Sequence, residues 1–214
     1  AAEVLAIVKS GQIRNYHPGE VIFTEEEPSA GLCVLLSGRV QLCMLSPQGQ
    51  VSILAIFEPV IMFNEVPALD GDPNPATVIS LEESVIWNMP AGKVEKLFLH
   101  HPTIGLGISR VLARRNRRLV RQYQDLSFRS VLARSARLLW ELSQNGQQKI
   151  DRRRHPNYQL AAQISTVPEA FSRCLRVFRS GGYIRTTELL IEILQPGHLL
   201  EIAQVGPITS LTGT

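Results

Sequence analysis

Near the C-terminal end four polar side chains recur at helical spacing: Glu169, Ser172, Arg173 and Arg176, at i, i+3, i+4 and i+7. On a helix they share one outward face. Phe171, Cys174, Leu175 and Phe178 repeat the same spacing on another face and form an inward stripe. A guanidinium can hold the O6/N7 edge of guanine with two hydrogen bonds, and a carboxylate can accept from cytosine N4. The outward set therefore carries chemistry suited to reading base edges. Without such a partner it is a solvated face of an ordinary surface helix, and this short pattern alone does not separate the two.

To present that face, the chain must supply a helix and something to hold it. Pro168 suits a first helical position, and Gly181-Gly182 supplies a stop. Upstream, residues 159–164 can form a shorter helix, with Ser165-Thr166-Val167 as a three-residue turn. Two helices joined this way make a helix-turn-helix, whose second member lies in the DNA major groove. Downstream, Tyr183-Ile184-Arg185 and residues 189–194 read as a hairpin, a wing closed by Gln195-Pro196-Gly197. Leu199–Ala203 reads as a last helical turn, and residues 205–214 as a loose tail. Thr166, Arg176, Arg179, Arg185 and the arginines at 152–154 are candidates for phosphate contacts, which give affinity without sequence preference.

The charge distribution favours the nucleic-acid reading. Residues 1–100 hold 5 Lys/Arg against 12 Asp/Glu, a balance of −7; residues 101–214 hold 17 against 7, a balance of +10. A basic half beside an acidic one points to a polyanion partner for the basic half.

From Ile13 to Pro90 the pattern is short β-like runs between turn residues such as His17-Pro18-Gly19, Ser37-Gly38 and Pro47-Gln48-Gly49. That spacing predicts a sandwich or roll. A single helical turn is expected over 64–69, a helix over 91–100 and a short one over 3–10. A long helix follows, about 103–127. Ile108, Leu112, Arg115, Leu119, Gln122 and Leu126 step along it by threes and fours, a heptad seam that asks for a partner helix. A symmetric dimer is the usual answer, with packing on the chain's own roll as the alternative. A further helix over 131–143 ends at Asn145-Gly146. The fold class is therefore α+β: a roll over 1–102, a dimerisation helix over 103–128 and a winged helix-turn-helix over 129–204.

No apolar run approaches the ~18 residues of a membrane span, and no basic-then-apolar leader opens the sequence. A cytoplasmic location without membrane partners is the expectation. Cys33, Cys43 and Cys174 are an odd count in apolar surroundings, read as buried thiols and not a disulfide framework. No phosphate loop, nucleophile elbow, zinc-spaced His/Glu set or paired carboxylates on one helix occurs, so the chain is not read as an enzyme and no metal ligands are assigned.

An acidic roll, a long helix and a winged helix-turn-helix, in that order, resemble the bacterial regulators related to the cyclic AMP receptor protein and the fumarate–nitrate regulator, the CRP/FNR family. The resemblance runs over about residues 3–203 and is carried by Tyr16-His17-Pro18-Gly19-Glu20-Val21-Ile22-Phe23, Leu35-Leu36-Ser37-Gly38-Arg39-Val40 and Leu160-Ala161-Ala162 with Glu169, Ser172 and Arg173. It implies a homodimeric transcription factor that binds double-stranded DNA and works with RNA polymerase. Its Glu-x-x-Ser-Arg pattern resembles the fumarate–nitrate branch, which implies a palindromic TTGA-type site. Arg173 would take a guanine, Glu169 the paired-strand cytosine or its neighbour, and Ser172 a thymine. The position before the recognition helix, often Ser or Thr in the family, is Val167 here, which cannot cap.

The sensory half departs further. Where cyclic-nucleotide-binding members carry Arg-Ser for the phosphate, this sequence has Asn74-Pro75, although the preceding glutamate remains as Glu65. The Thr-Ser that would meet adenine aligns with Leu119-Val120. Cyclic AMP is therefore not the expected effector. A haem held by His17, His100, His101 or Cys43 stays open, as does a small apolar molecule in a site lined by Met62, Phe63, Glu65, Asn74, Leu119 and Tyr123. A haem- or redox-dependent sensor whose basic half docks protein or RNA is the alternative function.

Overall fold

The protein is described by a computed structural model over residues 7–204. It divides into two compact units, with the boundary between Asn116 and Arg117.

The first unit is a roll of two four-stranded antiparallel sheets. Its strands are β1 (Gln12–Tyr16), β2 (Val21–Phe23), β3 (Leu32–Ser37), β4 (Val40–Leu45), β5 (Val51–Phe57), β6 (Ile61–Phe63), β7 (Thr77–Ser80) and β8 (Ser84–Met89). One sheet runs β1-β8-β3-β6 and the other β2-β7-β4-β5. Alternation along the strands sends one side chain in two inward. Phe23, Cys33, Leu35, Val40, Phe57, Phe63, Val78 and Ile86, drawn from both sheets, form the core between them. The β3–β4 turn requires glycine: Gly38 has φ +90°, and a Cβ there would stand 2.3 Å from Ser84 Oγ.

Between β6 and β7 lies helix α1 (Glu65–Asp70). After β8 come α2 (Ala91–His100) and the long α3 (Pro102–Phe128). Residues 7–10 are also helical; residues 3–6 of the expected first helix lie outside the described residues. The inner face of α3 packs on its own roll. Ile104, Ile108 and Leu112 join Leu32, Trp87, Met89 and Val94 in one apolar cluster. Of the residues expected in a dimer seam, Ile108 is buried and Leu112 and Arg115 are half-buried, while Leu119, Gln122 and Leu126 are exposed.

The second unit contains α4 (Val131–Leu142), β9 (Ile150–Asp151), α5 (Asn157–Gln163), α6 (Pro168–Ser180), β10 (Ile184–Thr186), β11 (Leu190–Ile193) and α7 (Pro196–Gln204). Helix α4 is capped by Ser130, whose hydroxyl accepts from Ala133 N at 3.2 Å. The three short strands form one sheet in the order β10-β11-β9. The last wing strand stops at Ile193, and Pro196-Gly197, expected to end the wing, also opens α7: proline costs nothing at a helix start, where its missing N–H would have no partner. The expected tail, residues 205–214, lies outside the described residues.

Candidate nucleic-acid interface and sensory site

The helix-turn-helix consists of α5 and α6. Phe171, Cys174, Leu175 and Phe178 of α6 are all buried, against Leu160, Ala161 and Ile164 of the α5 region and Ile184 and Ile191 of the wing. That packing fixes the rotation of α6 and leaves its other face in solvent. Glu169, Arg173, Arg176 and Arg179 are exposed, and Ser172 and Thr166 are half-buried. Among the described residues, the side chains of Glu169, Arg173, Arg176 and Arg179 make no hydrogen bond or ion pair. Three cations and a carboxylate therefore stand on one helix face without side-chain partners among the described residues. Val167 occupies the cap position with no side-chain hydrogen bond. Ser165, at φ 52°, turns the chain between the two helices.

In the wing, Arg185 is exposed and Glu192 stands 3.4 Å from it. Arg152 has a structural task. Its guanidinium donates to Thr187 O at 2.6 Å and to Asn157 Oδ1 at 3.3 Å, tying the wing turn to the start of α5.

Of the six side chains expected to line an effector site, Met62, Phe63, Glu65 and Asn74 lie in the first unit and Leu119 and Tyr123 in the second. Phe63 belongs to the roll core, its ring centroid 6.2 Å from Phe23 and 5.9 Å from Phe57. Asn74 is buried, and its carboxamide is saturated. It donates to Thr24 O (3.1 Å) and Pro28 O (3.2 Å), and accepts from Ala30 N (3.1 Å) and Asn64 Nδ2 (3.1 Å). Leu119 and Tyr123 are exposed, at 51% and 70%. Glu65 is 3% exposed and bound by Arg115 of α3, whose Nη1 lies 2.5 Å from Glu65 Oε2. The same guanidinium donates to the backbone oxygen of Met62 and sits 5.2 Å from the centroid of the Phe57 ring. Arg115, also expected in the dimer seam, clasps α3 to the roll.

A buried cyclic phosphate needs a cation and donors. Here the asparagine has no donor to spare, Pro75 has neither hydroxyl nor N–H, and the nearby cation is neutralised by Glu65. The residues present do not fit a cyclic nucleotide.

The haem candidates have other surroundings. His17 is an exposed turn residue whose Nδ1 is 3.0 Å from Glu83 Oε1, a carboxylate that pushes the imidazole pKa up. Cys43 is buried in β4. Burial pushes the Cys33 thiol up to about 11, against a smaller opposing effect of the Asn88 hydrogen bond. No helix of the described residues is long and apolar enough to cross a membrane.

Sequence reasoning missed the outer face of α3. Leu106, Ser109, Ala113, Asn116, Val120 and Tyr123 are all exposed and again step by threes and fours. The signal was in the sequence, but the bulkier inner row masked it.

Comparison with known proteins agrees with this architecture. Residues 3–101 match a cyclic nucleotide-binding domain family, and residues 133–202 a Crp-like helix-turn-helix domain family. A CRP-like cAMP-activated global transcriptional regulator of Mycobacterium tuberculosis is 28% identical over 187 residues, 85% of this chain and 84% of the relative. The cyclic AMP receptor protein of Thermus thermophilus is 28% identical over 192 residues, 90% of this chain and 88% of the relative. The solved structure of the c-di-GMP-responsive global regulator CLP of Xanthomonas campestris shares the fold. It has a TM-score of 0.77 at 17% identity, over 90% of this chain and 98% of that one.

Proposed function

This chain belongs to the CRP/FNR family of DNA-binding transcription regulators, and from that premise we propose that it acts as a homodimer on a palindromic TTGA-like operator. The observation that carries this reading is the exposed face of α6. Among the described residues its cationic and carboxylate side chains lack partners, while its other face is locked into a core. Arg173 takes the guanine, Glu169 the cytosine of the paired strand or its neighbour, and Ser172 a thymine. Thr166, Arg176, Arg179 and Arg185 meet phosphates. The regulator works in the cytoplasm, where it contacts RNA polymerase. The two copies join through the outer row of α3, from Leu106 to Tyr123, where the small Ser109, Ala113 and Asn116 let two helices approach closely.

The effector is not cyclic AMP, although relatives are named for it. The saturated Asn74, the adjacent Pro75 and the Glu65–Arg115 clasp support this. Calorimetric titration with cyclic AMP should give no heat of binding; a saturable signal would overturn the exclusion.

The reading head is tested with Arg173→Ala. Fluorescence anisotropy should show a loss of about 1–3 kcal/mol on the operator and little change on random DNA. Equal loss on both would rule out base reading.

A further inference from the structure

Helix α3 carries three faces of different chemistry. At about 100° per residue, Ile104, Ile108, Leu112 and Arg115 point to the chain's own roll. Leu106, Ser109, Ala113, Asn116, Val120 and Tyr123 lie about a third of a turn round. Arg110, Arg114, Arg117 and Arg121 lie about a third further, with Arg118 beside them. All five arginines are exposed, and among the described residues none of their side chains has a hydrogen bond or ion pair. The helix offers them no counter-charge: Asp125, its one acidic residue, is taken by Arg129 at 2.7 Å and Arg137 at 3.1 Å. A row of like charges three and four residues apart on one helix is self-repelling. Left bare beside an association surface, it would oppose association.

Symmetry supplies the missing anion. When two parallel α3 helices meet through their outer rows about a two-fold axis, each roll lies on one side of the helix pair and the other roll on the opposite side. The arginine row of one copy, a third of a turn beyond the shared row, then points to the side where the partner's roll lies. That roll belongs to the segment with a balance of −7. We propose that the arginine row of α3 docks on the acidic roll of the second copy, so that charge between subunits, as well as the apolar row, holds the dimer and fixes its parallel sense. This rests on the dimer proposed above.

Two measurements test it on the full chain. Sedimentation equilibrium across a salt series compares the wild type with a charge-reversed variant, Arg110→Glu, Arg114→Glu, Arg117→Glu and Arg121→Glu. All four positions are exposed, and an unchanged far-UV circular dichroism spectrum confirms folding. The wild-type dimer should weaken steadily from low salt to about 0.5 M. The variant should dissociate at least ~10-fold more readily at low salt, as several exposed pairs lost together would give, and should show a flat salt dependence. In the second measurement, Arg114→Lys and Arg117→Lys allow carbodiimide coupling to carboxylates in dimers mixed from light and 15N-labelled chains. Mass spectrometry should find mixed-isotope peptides joining position 114 or 117 to a carboxylate in residues 12–95.

A stable dimer with no salt dependence and no such peptides would overturn the proposal while leaving dimerisation intact. A chain that stays single under all conditions would overturn both. Weaker binding of the reversed variant to random DNA with an unchanged dimer constant would assign the row to nucleic acid, and would also overturn it.

Discussion

At the scale of the residue, Asn74 and the Glu65–Arg115 pair hold the roll together. Asn74 is a pin joining four segments of the chain through its carboxamide. Asn74→Ala strands buried donors and acceptors, each worth about 1–3 kcal/mol. The roll should lose at least ~2 kcal/mol, read as a lower melting temperature, with DNA contacts of α6 untouched. Glu65→Gln leaves Arg115 without its counter-charge. Removing one partner of a buried pair costs roughly 3–5 kcal/mol, and because Arg115 keeps 22% of its side chain in solvent the low end applies. A double-mutant cycle with Arg115→Met should recover most of that loss; additive losses would show that the clasp is not a coupled pair. Cys33, with its pKa pushed up to about 11 by burial, stays a thiol at neutral and mildly alkaline pH. Folded protein at pH 8 should leave Cys33 unlabelled by a thiol reagent, with labelling recovered on denaturation.

At the scale of the element, α3 packs on the roll with one row and, in the proposed dimer, meets its partner with another. Placing a carboxylate in the outer row by Val120→Glu should abolish dimerisation, as sedimentation velocity would show, whereas Gln122→Ala should not. Much of this element was legible beforehand: its extent, its arginine content and its heptad steps are all in the sequence. Which of two overlapping rows faces the roll was not, because both obey the same spacing, and only packing against Leu32, Trp87 and Met89 separates them. The strands of the roll fall close to the runs read between turn residues, since alternation and glycine turns are local signals. The two-residue β9 was missed, because so short a strand has no periodicity and exists only through its pairing with Leu190 and Ile191. The recognition helix was legible nearly whole, from proline start to glycine stop. For the sensory half the sequence supplied residue types but not their packing, which spends Phe63 in a core and Asn74 in a hydrogen-bonded pin.

At the scale of the whole molecule, the proposed account divides the labour between an acidic half that holds a partner copy and a basic half that holds DNA. Phosphate contacts by Arg176, Arg179 and Arg185 from each of two copies should make operator affinity fall steeply with salt, because each neutralised phosphate releases counterions. Arg176→Ala should reduce that slope by about 2 per dimer and weaken operator and random DNA alike, the reverse of the Arg173→Ala pattern. The central claim is that two reading heads, held at one separation by paired α3 helices, engage one face of a duplex. Binding should therefore be measured on a TTGA-type palindrome with half-sites about one helical turn apart, and on the same duplex with ~5 bp inserted between them, which turns the half-sites to opposite faces. The account predicts two chains bound per duplex on the first and a collapse to half-site affinity on the second. Equal affinity for both duplexes, or one chain per duplex, would contradict it.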